Sequence, residues 1–151
     1  MSSEKGAFGV EKPMKRVLFL CYGNACRSIM AEALARHFWG EGMEACSAGL
    51  MPLGYIPSET LEALREAGIS TDGLYSKGLS EAHPADIDYL VNLTQFEVGP
   101  FIPPVFRGKL ILFPVRDPFG QGIESYRKVR EELKGLVRQK LPGLIGAVNS
   151  E

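Results

Sequence analysis

Cysteine is scarce in this 151-residue chain: Cys21, Cys26 and Cys46 are the whole complement, and none follows Cys46. So few, and an odd number, exclude a disulfide framework. Histidine is scarcer still. His37 and His83 lie far apart, and no Cys or His pair has zinc-like spacing, so no metal is expected, nor any other cofactor. No apolar run approaches the roughly 20 residues of a membrane span, and no secretory h-region is present, so a cytoplasmic location and no membrane partner are expected. A net charge of −1 and a pI near 6.2 give no basic footprint for nucleic acid. Internal repeats and low-complexity stretches are missing as well. What is there is ordinary: 45% apolar and 23% charged residues, enough to bury a core. The expected organisation is a flexible, polar N-terminal tail over 1–14 and a single α/β domain over 15–151.

Apolar runs and helical periods alternate along the chain. Arg16-Val17-Leu18-Phe19-Leu20 is a short apolar run closed by Gly23, which reads as a strand buried on both faces and hence as part of a parallel sheet. From Arg27 the period changes. Ile29, Met30, Ala33, Leu34 and Phe38 share a helical face that excludes Glu32, Arg36 and His37, and Gly40 and Gly42 stop the helix. A second strand is expected over Met43–Ala48, ended by Gly49. Ser58–Ala67 reads as a helix with Ser58 as N-cap and Gly68 beyond its end. Ile87–Leu93 and Lys109–Pro114 read as the third and fourth strands, with a Pro-rich loop over Gly99–Gly108 between them. The three- and four-residue spacing of Ile123, Tyr126, Val129, Leu133, Leu136 and Val137 predicts a last helix through Arg138. This alternation, with four expected strands, predicts βαβ units and an open parallel sheet. Ligands of such sheets bind at the carboxyl ends of the strands, where Cys21 and Asp117 would sit.

Cys21 to Ser28 carries the chemistry. A free thiol has a pKa of about 8.5 and is mostly protonated at neutral pH. A helix N-terminus and a nearby Arg lower that to roughly 3.5–7.5. The helix expected to start at Arg27 aims its unpaired N–H groups back at the loop. Successive N–H groups of Tyr22, Gly23, Asn24, Ala25 and Cys26 can form an anion nest, with Gly23 and Asn24 tolerating positive φ. Arg27 offers a planar fork for two oxyanion oxygens. Ser28 can donate a hydrogen bond to the thiolate. The combination is suited to attack on a tetrahedral oxyanion, a phosphate ester or arsenate. Ester hydrolysis also needs an acid for the leaving group. Asp117 is the candidate, held extended by Pro118. Asp72, Asp86 and Asp88 compete but do not fall at the carboxyl end of an expected strand, and Arg116 is expected to point away from Asp117.

Cys21-x-Gly-Asn-x-Cys-Arg-Ser28, followed by Met30-Ala31-Glu32-Ala33, then Ser47-Ala48-Gly49 and Asp117-Pro118, resembles the low-molecular-weight protein tyrosine phosphatases and the arsenate reductases of the same fold. The resemblance runs from Lys15 to Leu141. It implies a Rossmann-like α/β sandwich in three layers, a four-stranded parallel sheet with helices on both faces, with Cys21 as nucleophile, Arg27 as phosphate clamp and the whole loop from Tyr22 to Ser28 as the phosphate site. Asn24, Ser28 and Ser47 would support the loop and the thiolate, and Asp117 would act as general acid and then base. The reaction would pass through a cysteinyl-phosphate that water resolves.

Subfamily markers are mixed. Ile29 stands where the tyrosine phosphatases usually have Pro, and Ala48–Pro57 and Gly73–Lys77 look more like arsenate reductases. The thioredoxin-linked reductases, however, use later cysteines, and this chain has Leu93-Thr94-Gln95 there. Asp117-Pro118-Phe119-Gly120 and Tyr126-Arg127 resemble a bacterial branch that includes protein arginine phosphatases, although Ala25 replaces that branch's Thr. Tyr22, Tyr55 and Phe119 are the candidate pocket walls. Cys26 is the redox candidate, able to pair with Cys21 on oxidation. Cys46 reads as a buried small hydrophobe. Three readings stay open: a phosphomonoester hydrolase of the protein-tyrosine phosphatase type, which leads; an arsenate reductase served by an external small thiol or glutaredoxin; and a non-catalytic anion-binding or redox-sensing module. The expected partners are a phosphorylated protein or small phosphate ester, with a thiol donor for the reductase.

Overall fold

The computed structural model of the protein describes residues 14–145, so the expected tail lies almost wholly outside the described residues. β1 (Lys15–Cys21), β2 (Met43–Gly49), β3 (Tyr89–Asn92) and β4 (Lys109–Leu112) form one parallel sheet in the order β2-β1-β3-β4. The chain runs from β1 to β2 on one side, then crosses back to place β3 on the other. The winding therefore reverses direction at the carboxyl ends of β1 and β3, the place where open α/β sheets leave a crevice. Cys21 is the last residue of β1, paired in register with Gly49.

β1 is central because both of its faces are apolar. Val17, Phe19 and Cys21 pack towards one layer, Leu18 and Leu20 towards the other, all essentially inaccessible. Burying each large side chain is worth about 1.5–3 kcal/mol. The first layer contains α1 (Arg27–Trp39), α2 (Ser58–Glu66) and α3 (Ile123–Gly135). On the second face the helices are short 3₁₀ turns, Leu79–Ala82, Pro84–Asp86 and Gly99–Phe101, the last inside the expected Pro-rich loop. β4 is the edge strand, and Leu110 and Leu112 remain exposed on it. No described helix is long and apolar enough to cross a membrane.

Four local expectations need correction. Pro57, not Ser58, occupies the N-cap of α2, and Ser58 is its first helical residue. Pro57 has an extended backbone that enters the helix without a side-chain cap. The last helix is α-helical only to Gly135. A π-helical turn, Leu136–Lys140, then leads into α4 (Leu141–Ile145). The Trp39 indole donates to the Val137 carbonyl at 2.9 Å within that wider turn, and Pro142 has no N–H to continue an α ladder. α1 is buried nearly all round, so Glu32 is 1% exposed rather than on a solvent face. Cys46 is only partly buried; its thiol lies 3.7 Å from the Val17 carbonyl, and burial pushes it up to about 11.

Candidate active site

β1 ends at Cys21 and α1 begins at Arg27; the five residues between them turn around a small concavity. Backbone sterics make this turn possible at one position: Asn24 has φ 48°, the left-handed region that Asn tolerates better than most side chains. Gly23, the other expected left-handed residue, does not use it. The loop lies directly on β2. A Cβ at Gly49 would stand 2.7 Å from the Asn24 nitrogen and 2.9 Å from Gly23 backbone carbon, too close for any side chain. Gly49→Ala is expected to lower stability by about 1–3 kcal/mol, because backbone rather than a flexible side chain must give way; thermal unfolding against the unsubstituted protein measures it.

The segment after β2 fixes which way the loop faces. Leu50 N donates to the Cys21 carbonyl (3.1 Å), Met51 N to that of Tyr22 (2.8 Å) and Leu53 N to that of Gly23 (2.8 Å). Ser76 Oγ adds a bond to the Gly23 carbonyl at 3.2 Å, and Thr60 Oγ1 donates to that of Ala25 at 2.9 Å. With the carbonyls engaged outward, the amides of Tyr22 to Cys26 have no acceptor among the described residues. Unpaired N–H groups in succession, followed by a helix N-terminus, make an anion nest.

A buried polar chain runs behind the loop. Asn24 Nδ2 donates to Ser28 Oγ (2.7 Å) and to Ser47 Oγ (2.9 Å), while Asn24 Oδ1 accepts from Lys77 N (2.8 Å). Ser47 Oγ in turn donates to Glu32 Oε1 at 2.5 Å. Because Ser28 accepts from Asn24, its own O–H is left for Cys21 Sγ, 2.9 Å away. Glu32 is ion-paired with Arg36 and lies 3.7 Å from the Lys77 ammonium. Lys77 Nζ also donates to the Tyr75 carbonyl at 3.0 Å and stands 4.5 Å over the Tyr75 ring. A buried carboxylate and ammonium are tolerated only when paired and hydrogen-bonded in this way. Sequence reasoning missed Glu32 and Lys77 as parts of the site. Both lay in stretches that carried the family resemblance, Met30-Ala31-Glu32-Ala33 and Gly73–Lys77, which was the available signal.

Arg27 is nearly buried. Its NH1 donates to the carbonyls of Leu93 (3.4 Å) and Val115 (3.2 Å), tying α1 to the segments after β3 and β4. Its NH2 lies 3.6 Å from Asp117 Oδ2. Its buried Nε has no hydrogen-bond partner among the described residues, a condition that calls for an explanation in a folded protein. Asp117 is half exposed, and its other oxygen accepts the Phe119 N–H at 3.1 Å, an Asx-type turn that fixes the carboxylate over the opening. Asp86 and Asp88 face Arg16 at the opposite end of the sheet, and Asp72 sits on an exposed turn. Arg116 lines a different hollow, beside Lys128 and Glu132.

Cys21, Arg27, Asp117, Tyr22 and Phe119 thus surround one cleft of about 230 Å³. Tyr55 does not join them. It lines a separate hollow with Tyr75 and Arg65, and Met51 and Leu53 form that wall instead. Local hydrogen bonding explains the exchange: the bonds from Met51 and Leu53 to the loop carry their side chains to the rim. Cys26 lines the cleft too. Its thiol donates towards the Tyr126 hydroxyl at 3.5 Å, and burial pushes it up to about 11, so it is protonated at neutral pH. Both Cys21 and Cys26 are free thiols. No group of three or more His, Cys, Asp or Glu side chains gathers to hold a metal ion among the described residues.

The chain is similar to several known proteins. The chain is 30% identical over 138 residues to the glutaredoxin arsenate reductase of Synechocystis sp., covering 90% of this chain and all of that one. It is 42% identical over 94 residues to the low molecular weight protein-tyrosine-phosphatase YfkJ of Bacillus subtilis, 57% of this chain and 60% of that one. The solved YwlE arginine phosphatase from Geobacillus stearothermophilus superimposes with a TM-score of 0.76 at 28% identity, over 87% of this chain and 94% of that one. The family model described as low molecular weight phosphotyrosine protein phosphatase matches residues 16–150. That span takes in the sheet, the loop after β1 and Asp117 alike, and the chain belongs to the low molecular weight phosphotyrosine protein phosphatase family.

Proposed function

We propose that the protein is a phosphomonoester hydrolase acting on phosphotyrosine in proteins through a cysteinyl-phosphate. The observation that carries this is that Cys21, the loop of unpaired amides and Arg27 line one cleft, with Asp117 at its opening. In the first step Cys21 Sγ attacks phosphorus in line, the S–P bond forms and the ester P–O bond breaks. The leaving oxygen takes a proton from Asp117. The loop amides and Arg27 hold the three equatorial oxygens over which charge is spread in the transition state, in the geometry of in-line displacement. In the second step water attacks phosphorus, Asp117 accepts its proton, and the S–P bond breaks to restore the thiolate. Ser28, fixed by Asn24 and through it by Ser47, donates to sulfur in both steps. The apolar walls, Tyr22, Met51, Leu53 and Phe119, suit an aromatic leaving group. Cys26 enters the proposal as an oxidation partner of Cys21, on the ground that both thiols line the cleft.

One finding favours a second reading. The similarity to a glutaredoxin arsenate reductase spans 90% of the chain. In that reading Cys21 Sγ attacks arsenate, an S–As bond forms, an As–O bond breaks and the oxygen leaves as water. An external thiol such as glutathione attacks the Cys21 sulfur, releasing arsenite and leaving a mixed disulfide, two thiols being oxidised as arsenic(V) becomes arsenic(III). Glutaredoxin then regenerates the thiol.

A single preparation decides between them. Hydrolysis of p-nitrophenyl phosphate is expected, and arsenate-dependent NADPH consumption with glutathione, glutaredoxin and glutathione reductase is not. Silence in the first assay with activity in the second reverses the assignment.

A further inference from the structure

Phe96 is an apolar ring left 56% exposed, yet its backbone is held by buried polar groups. Asn92, at the end of β3, and Thr94 are each 2% exposed. Asn92 Nδ2 donates to the Phe96 carbonyl at 3.1 Å, and Phe96 N donates to Thr94 Oγ1 at 3.0 Å. Thr94 N and Oγ1 both donate to Asn92 Oδ1, at 2.9 and 2.7 Å. This closed set of bonds fixes a five-residue turn that leaves Gln95 and the Phe96 ring outward, the ring being its one apolar exposed group. Folding gains little from such a ring, since burial is what stabilises a phenyl group. Its neighbour is informative: the ring centroid lies 5.9 Å from that of Tyr22, tilted by 56°, within the range of favourable aromatic pairs. Tyr22 is itself 46% exposed and lines the cleft beside Cys21.

We propose that Phe96 is a positioning residue for substrate selection. It holds the Tyr22 ring as a fixed wall, so that the cleft prefers a flat aromatic group attached to the phosphoryl centre over a small or aliphatic one. The proposal rests on the oxyanion-binding reading of the cleft and adds to it the residue that sets preference beyond the oxyanion. A bare tetrahedral anion seats on the loop amides and Arg27 and does not reach this wall. The two parts of the ligand therefore respond to different residues.

Calorimetric binding of phenylphosphonate and of inorganic phosphate to the full chain separates them without requiring turnover. In the unsubstituted protein phenylphosphonate is expected to bind more tightly than phosphate. Phe96→Ala is expected to weaken phenylphosphonate by about fivefold or more, the scale of one lost apolar contact, with phosphate unchanged. Phe96→Tyr, which keeps the ring, should restore the preference. With p-nitrophenyl phosphate the same loss should fall on KM and leave kcat unchanged. If both anions weaken together in Phe96→Ala, the residue only maintains the loop and the proposal is overturned. If neither weakens, the wall plays no part, and it is overturned again. Failure of the unsubstituted protein to bind phosphate would instead reject the reading of the cleft and the proposal with it.

Discussion

Cys21→Ser should reduce kcat for p-nitrophenyl phosphate by at least about 10⁴-fold, the scale of losing a covalent nucleophile. Sulfur is the atom on which the rest of the loop converges. Ser28 donates to it, and the loop of unpaired amides leads from it to the start of α1. A hydroxyl in its place is a much weaker nucleophile towards phosphorus than the sulfur it replaces. Nothing else in the oxyanion site changes. Inhibition by inorganic phosphate should persist within a few-fold, which distinguishes a lost nucleophile from a collapsed loop. Steady-state kinetics with phosphate as inhibitor gives both quantities. Retained turnover in Cys21→Ser would remove the covalent mechanism.

Asp117→Asn should show a loss that depends on the leaving group. Proton donation contributes typically about 10²–10⁴-fold, and the contribution grows as the leaving oxygen becomes more basic. A series of aryl phosphates measured in the variant and the unsubstituted protein should diverge steadily, least for p-nitrophenol and most for phenol. Asn keeps the shape of the side chain and an oxygen able to accept the Phe119 amide, so the turn should remain. The alternative is purely electrostatic. Asp117 stands 3.6 Å from an Arg27 nitrogen and could act only by orienting that guanidinium. A loss of equal size for every leaving group would identify that role and exclude the acid.

The parts of this molecule that were legible in its sequence are those with short-range causes. β1 is an uninterrupted apolar run, and both of its faces are buried. Arg27 marks the helix start because the period changes there. Asp117 was found by its place after the last strand. Long-range causes were not legible. Glu32 falls outside the apolar face read from the sequence, and its burial is not legible there because its partners, Ser47 and Lys77, lie 15 and 45 residues away in sequence and meet it only when β2 and the turn after α2 assemble against α1. Tyr55 was chosen as a wall for its ring, but hydrogen bonds from Met51 and Leu53 to the loop decide which side chains reach the rim. Ser58 lost the N-cap to Pro57, whose extended backbone precedes the helix without a side-chain bond. The period through Arg138 likewise could not separate an α-helix from one that widens after Gly135.

Glu32 and Lys77 carry opposite charges inside the fold, joined through Ser47 to the residue that shapes the loop. Removing one partner of a buried ion pair typically costs about 3–5 kcal/mol, because the other is left without compensation, whereas replacing both with well-packed apolar groups can be neutral. The two losses are not equivalent: Glu32 keeps Arg36 when Lys77 is replaced, whereas Lys77 keeps only the neutral Tyr75 and Ser47 when Glu32 is replaced. A route to a neutral interior that removes Glu32 first therefore passes through a state that consumes much of an ordinary domain's stability, and one that removes Lys77 first passes through a milder one.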